Sequence, residues 1–342
     1  METARTGVLP ATIPFWETVA VDDKLVGVVS ILRDAPDKPY KARRGGAWVT
    51  HGRVGTTTRD ATREEERLYQ QSGLVRYGLK PVIGSSPVDL DLRRLTEYLG
   101  RILEGDVPAE DDERGWDRLL RNLELVTGPP EHPVATVNGC LLFGLDPRRL
   151  LPQSGIRAVC YVGDEPEYAT RADEIIGGAL VPLHMRNGMK MEGGLVDLAW
   201  DFVRRNTAPS AHLDGMRRID RWEFPEAAVR EAVANAAVHR DYGIVGTHIM
   251  LSIFSDRLEV QSPGRLPNTV TTEGMRLGLR YARNQTLMNV MRDYGYVDAR
   301  GMGVRNRMIP AMRAHNDTEP DLIAEEHRFT VRLWKHGRDD GG

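Results

Sequence analysis

Residues 230–242 read REAVANAAVHRDY, an alanine-rich run interrupted at every fourth position by Glu231, Asn235 and His239. Residues four apart stack on one face of a helix, so these three form a line. Val229, Ala232, Val233, Ala236, Ala237 and Val238 cover most of the remainder. A helix that is apolar nearly all round is one that a fold buries, and a carboxylate and an amide buried without partners cost on the order of several kcal/mol. Either the line is the solvated edge of a half-buried helix, or it faces a ligand. In the second case the Asn235 carboxamide oxygen suits a hard cation such as Mg2+, which keeps waters and phosphate oxygens around it, and Glu231 suits a general base toward a bound water.

The rest of the chain sets the frame for that helix. Its 342 residues leave room for about two domains, and 41% hydrophobic with 28% charged residues is the composition of a globular chain. Cys140 and Cys160 both sit in apolar runs and are too few for a disulfide framework or a thiolate metal site. The first residues, METARTGVLPATIPFW, lack the basic-then-apolar order of an export signal, and no run approaches the roughly 18 apolar residues of a spanning helix. A cytoplasmic protein with no membrane partner is expected.

Along the chain, KLVGVVSILR at 24–33 and AWVTHGRV at 47–54 read as strands, expected as a hairpin with Gly45-Gly46 between them, and Thr62 with Glu65 forms a capping box for a helix through Gln71. KPVIGSSPVDL at 80–90 marks a boundary. Apolar residues at helical spacing in 91–103 and 116–126, on either side of the acidic stretch EGDVPAEDDE, predict two connector helices. Beyond 133, VNGCLLFGL and IRAVCYVG read as buried strands, MEGGLVDLAWDFVRRN as an amphipathic helix, and Pro225 as the first residue of the helix carrying the polar line. THIMLSIF and LEVQSP, joined by a turn at Asp256, and EEHRFTVRLW complete the strands. The expected fold class is α/β (α+β).

Two glycine turns follow the helix. SPGRLP at 262–267 ends a strand, and ARGMGVRN at 299–306 sets Gly301 and Gly303 ahead of a helical run, where backbone N–H groups can approach an anion. The order of helix with E-x-x-x-N, strand pair, glycine turn, basic segment and second glycine turn resembles the GHKL ATPases of the gyrase, Hsp90 and histidine-kinase kind. More closely, REAVANAAVHRDY, FSDRLEVQSPGRLP, ARN at 282–284, YGYVDARGMGV and CLLFGLDPRRLLPQSGIR at 140–157 resemble the divergent GHKL domain of bacterial Schlafen AlbA-type transcriptional regulators. The resemblance implies ATP and Mg2+ as cofactors. It implies Asn235 as the metal ligand, Glu231 as the group that positions or activates water, and Gly301 with Gly303 as the phosphate wrap. It also places Ser262, Gly264, Arg283 and Asn284 at the nucleotide, with residues 268–298 as a lid. His239 and Arg240 belong to the extended helix signature, for which polar packing and ligand contact both stay open. One departure stands out: the first glycine box of the family carries an acid for the adenine amino group, and here Gln261-Ser262-Pro263-Gly264 offers none.

From Lys38 to Arg63 seven cations face the single anion Asp60. KPYKARRGGAWVTHGRVGTTTRDATREEE resembles the C-terminal half of a Schlafen AlbA-like module, which implies DNA or RNA as partner. Lys38, Lys41, Arg43, Arg44, Arg53 and Arg59 would contact phosphates, and Trp48 or Tyr40 would stack on bases. The acidic segment that opens this module in the family is missing ahead of the hairpin, so an abbreviated module or a misplaced start is expected. The resulting division is a partial AlbA-like module at 1–85, a helical connector at 86–133, a GHKL-type α/β sandwich at 134–335 and a tail at 336–342. Its expected function is a nucleotide-dependent, nucleic-acid-associated transcriptional regulator, compatible with slow ATP hydrolysis and with a homodimer. The alternative is a Schlafen-like nuclease or an ATP-dependent nucleic-acid enzyme. A helicase motor would need a G-x-x-x-x-G-K-[ST] phosphate loop, which the sequence does not contain.

Overall fold

The computed structural model describes residues 8–9, 15–21, 24–30, 41–44, 47–54, 57–62, 77–185, 187–208, 210–214, 217–266, 270–278, 282–298 and 302–335. The chain divides into two compact units, Met1–Lys80 and Pro81–Gly342.

The first unit is built of antiparallel strands: β1 (Val8–Leu9), β2 (Phe15–Val21), β3 (Lys24–Ser30), β4 (Lys41–Arg44), β5 (Ala47–Val54) and β6 (Thr57–Asp60). The sequence paired 24–33 with 47–54, and the structure corrects this. β3 pairs with β2, Val21 opposite Lys24, and β5 pairs with β4 and β6. Chain closure explains the outcome, because a two-residue connection holds each strand to its immediate neighbour while 13 residues separate Arg33 from Ala47. The helix expected over 62–71 lies outside the described residues beyond Thr62, as do Lys38, Tyr40 and the tail.

The second unit opens with α1 (Leu92–Glu97), which continues as a π-helical turn over Tyr98–Ile102, and α2 (Glu113–Asn122). Asp91 and Asp112 cap them by accepting from Arg93 N and Gly115 N. The short pair β7 (Val126–Thr127) and β8 (Val134–Ala135) leads to α3 (Val137–Phe143). Here the sequence reading of VNGCLLFGL as a strand is overturned. All seven residues of α3 are buried, so no periodicity separates helix from strand, and the Thr136 hydroxyl accepting from Gly139 N at 3.1 Å fixes the helix start. After α4 (Pro147–Leu150) come β9 (Ile156–Tyr161), β10 (Thr170–Ile176), the pair β11 (Leu183–His184) and β12 (Lys190–Glu192), α5 (Leu195–Asn206), and the pair β13 (Ser210–Asp214) and β14 (Arg217–Arg221). The helix with the polar line is α6 (Glu226–His239). Beyond it lie β15 (Ile249–Ile253), β16 (Arg257–Pro263), α7 (Thr272–Leu277), α8 (Gln285–Asp293), α9 (Ile309–Asn316), β17 (Asp321–Ala324) and β18 (Arg328–Trp334).

Six of these strands form one mixed sheet in the order β10-β9-β15-β16-β18-β17, parallel only between β9 and β15. Helices α5 and α6 pack together against it, over Ile156, Ala158, Leu251, Leu258 and Leu333, all buried. Cross-strand ion pairs, Arg157 with Asp173 at 2.8 Å and Arg332 with Glu259 at 2.8 Å, add polar links between neighbouring strands. The fold is mixed α/β.

Within this unit the residues before α3 pack against the rest through small residues and hydrogen bonds. A Cβ at Gly139 would collide with the Leu125 carbonyl oxygen. Tyr98 Oη donates to Asp293 Oδ2 at 2.9 Å, and Thr286 Oγ1 donates to Glu124 Oε2 at 2.6 Å. Gly139→Ala should therefore lower unfolding free energy by about 2 kcal/mol, the usual scale for overpacking against backbone; urea denaturation checks it, and an unchanged midpoint would mean α3 can slide away from Leu125.

Candidate functional site

Helix α6 starts after Pro225, whose fixed backbone angle suits a helix entry and whose missing N–H costs nothing there. Ala228, Val229, Ala232, Val233, Ala236, Ala237 and Val238 are buried against the sheet and α5. Glu231 is 2% exposed despite its charge. Asn235 Nδ2 donates to Glu231 Oε1 at 3.0 Å, while Oε2 is buried with no hydrogen bond and has Arg307 Nη1 at 3.8 Å. Gly303 lies directly on this carboxylate, where a Cβ would overlap it. Burial pushes the Glu231 pKa up to about 7; Asn235 and Arg307 pull it down, and Asp298 adds to the rise. One helical turn beyond Asn235, His239 is held neutral, its pKa pushed down to about 4 by burial first and the Arg283 charge second.

These side chains open on a cavity of about 400 Å³. One end is apolar: Val260 faces Val331 and Ser262 faces Phe329 across β16 and β18, with Ala232 and Ala236 of α6 beside them. The other end is polar, with Glu231, Asn235, Asp298 and Gly303. Ser262 Oγ donates to the Ala236 carbonyl at 2.9 Å, which leaves its lone pairs as acceptors. Gly264 adopts φ +108°, and a Cβ there would meet Arg283 and Asp241, so both the conformation and the space call for glycine.

Arg283 and Asn284, expected at the nucleotide, serve the end of α6. Arg283 donates to the carbonyls of His239 at 3.2 Å and Arg265 at 2.6 Å. Asn284 Nδ2 donates to the carbonyls of Val238 at 2.7 Å and Arg240 at 3.0 Å. These groups satisfy orphan carbonyls at a helix terminus. Arg283 also lines the cavity, while Asn284 is buried and is not among its lining residues. Arg240 resolves toward packing: fully buried, it donates to the carbonyls of Asp241, Ile244 and Thr247 and lies over the Tyr242 ring. Gly301 falls outside the described residues. The sequence reading missed Asp298 and Arg307. The spacing held a signal for Arg307, four residues after Gly303 and so one helical turn on.

In the first unit, Arg43 and Arg44 on β4 and Arg59 on β6 are exposed, and Lys41 is half-buried. Arg44 pairs with Asp60 at 3.1 Å. Trp48, opposite Arg43 in the β4–β5 register, is 39% exposed. Arg53 occupies a position on β5. Cys140 and Cys160 are buried free thiols, and among the described residues no helix is long and apolar enough to cross a membrane.

Residues 246–333 match the family model described as "Putative ATP-dependent DNA helicase recG C-terminal". The match runs from just before β15 through Gly303 to β18, so Glu231 and Asn235 precede it. Among solved structures, the chain is similar to the DIP2311 protein from Corynebacterium diphtheriae, with a TM-score of 0.54 and 23% identity over 97% of this chain and 61% of that one. That likeness is one of fold, and this chain spans about 61% of its neighbour's length. No curated protein matches the sequence. The C-terminal domain is ATPase-like.

Between the ordinary carboxylate pKa of 4.5 and the folded value of about 7, folded Glu231 keeps a proton that the unfolded chain has lost. Stability therefore falls as pH rises through that window. Glu231→Gln should be more stable than wild type by about 2 kcal/mol near pH 8 and nearly equal near pH 4.5. His239 acts with the opposite sign: below its ordinary 6.5 the unfolded chain gains a proton that folded His239 refuses until about 4. Melting of the Glu231→Gln protein should consequently climb between pH 4 and 6.5, and a flat profile there would contradict the His239 assignment.

Proposed function

We propose that the cavity beside α6 binds ATP with Mg2+ in a GHKL-like manner and that this domain switches a nucleic-acid-binding N-terminal module, as in Schlafen AlbA-type transcriptional regulators. The observation that carries the reading is the close approach of Gly303 to the Glu231 carboxylate, to which Asn235 donates a hydrogen bond. A bare backbone thus approaches the carboxylate in a cavity that also has an apolar lining of Val260, Val331 and Phe329. The donor set fits the metal: Asn235 Nδ2 is engaged by Glu231, which leaves the carboxamide oxygen as a hard ligand, and Glu231 Oε2 is orphaned. Bound there, Mg2+ would neutralise phosphate charge. Asn235 would hold it, Glu231 would accept a proton from water with a pKa near neutrality, and Ser262 would take the place of the family's acid by accepting from the base. Slow hydrolysis and a pure binding switch both use this arrangement.

In the N-terminal module, Arg43, Arg44 and Arg59, with Trp48 alongside, are proposed to track a DNA or RNA backbone, joined by Lys38, Lys41 and Arg53. A second reading, an ATP-dependent nucleic-acid enzyme, draws support from the description of the matched family. Nuclease or strand-separating activity that survives Glu231→Ala would favour it and move the chemistry to the N-terminal module.

Isothermal titration should show Mg-ATP binding by the full chain. Asn235→Ala should lose at least about tenfold in affinity, the scale of one charge-assisted contact, without a change in fold by circular dichroism. Equal affinity in the variant would remove the metal ligand from the account. For the N-terminal module, the slope of log affinity against log salt on a DNA duplex should flatten by about 1 in Arg43→Ala, and an unaltered slope would take that residue off the phosphate path.

A further inference from the structure

A second cavity, of about 470 Å³, adjoins the first, and among the described residues Glu231 alone lines both. Its polar wall is made almost wholly of donors. Lys190 Nζ spends one N–H on Asp197 Oδ1 at 2.7 Å. Arg307 Nη1 donates to the Gly295 carbonyl at 3.2 Å and leaves the rest of its fork. The Tyr294 hydroxyl is buried with no hydrogen-bond partner, and so is Glu231 Oε2. Arg230 completes the wall, anchored to Asp197 Oδ1 at 2.6 Å.

The anchor is itself built for this duty. Asp197 is buried on α5, where burial works to raise its pKa, but hydrogen bonds from Lys190, Tyr296 and Arg230 outweigh that and hold it ionised. One carboxylate thus fixes two cations at the cavity wall. Among the described residues the lining holds three cations, Lys190, Arg230 and Arg307, and one carboxylate, Glu231. A hollow lined by charged donors suits an oxyanion able to accept several hydrogen bonds at once.

We propose that this second cavity is a binding site for a phosphate-class oxyanion, held by Lys190, Arg230 and Arg307 and separated from the nucleotide pocket by the Glu231 side chain. The binding site stands independently of ATP. Its service as the way out for phosphate released beside Glu231 rests on the function proposed above.

The test is titration of inorganic phosphate into the full chain without nucleotide or metal. Wild type should bind it, and Lys190→Met and Arg307→Met should each weaken binding by about tenfold, the loss of one hydrogen bond to an anion. Thermal melts confirm that each variant folds; Lys190 and Arg307 are both partly exposed. Lys190 lies outside the nucleotide pocket, so Lys190→Met should keep its Mg-ATP affinity, and Asn235→Ala should still bind phosphate. Absence of phosphate binding at about 20 mM, far above the range of a functional ligand, overturns the site, and so does binding by both variants as tight as that of wild type. Noncompetitive inhibition of turnover by phosphate, relieved in Lys190→Met, would identify product as the source; binding with no influence on turnover would identify free phosphate. Failure to bind Mg-ATP would end the earlier reading and leave this one standing.

Discussion

Removing the Glu231 carboxylate from water is the constraint around which the C-terminal unit is arranged. Helix α6 must be oily to pack between sheet and neighbouring helices, yet it carries an acid at its centre. Three adjustments accommodate that acid. Asn235, one turn on, gives it a hydrogen bond; residue 303 gives up its side chain so that backbone can close over it; and Arg307 stands near enough to pull without forming a close pair. A full ion pair would lock the carboxylate in its charged form. At 3.8 Å with an orphaned oxygen, the group keeps a proton affinity close to neutrality instead.

The far end of α6 shows a related economy. Its last carbonyls are met by Arg283 and Asn284, which arrive from more than 40 residues downstream. The same arginine presses on Gly264, so the turn after β16, the helix terminus and the start of α8 form one knot of hydrogen bonds. Ser262 lies beside this knot with its hydroxyl tied to α6. A longer acidic side chain at 262 would need different surroundings, which gives the missing acid of the first glycine box a structural context.

Much of this was legible in the residues. The line of Glu231, Asn235 and His239, the glycine at 303 and the strands β9, β15, β16 and β18 were readable because each pattern is local: a four-residue spacing, a bare backbone position, an apolar run bounded by turns. Helix α3 was not, since a segment buried on every side loses its periodicity. The partners of β3 and β5 were misjudged because pairing depends on which turn closes first. Asn284 was assigned by resemblance to the ligand, whereas its role as a distant cap arises from tertiary contact that spacing does not encode. Asp298 enters the site through the fold of the segment after α8, whereas Arg307 stood at a helical spacing from Gly303 that the sequence displays.

The two helical walls of the first cavity are fastened by different physics. Helix α8 contributes Gln285, Met288 and Arg292 to the lining and packs against α3 and α6, with Leu287, Val290 and Met291 buried. Helix α7 contributes Met275 and is fastened at the surface, by Arg276 to Glu319 and the Pro320 carbonyl and by Arg305 to the Leu277 carbonyl. Ionic contacts at a surface weaken as counterions crowd in, over a screening distance of about 8 Å in physiological salt, and buried hydrocarbon does not. Dissolved electrolyte therefore addresses the α7 side of the chamber and spares the α8 side.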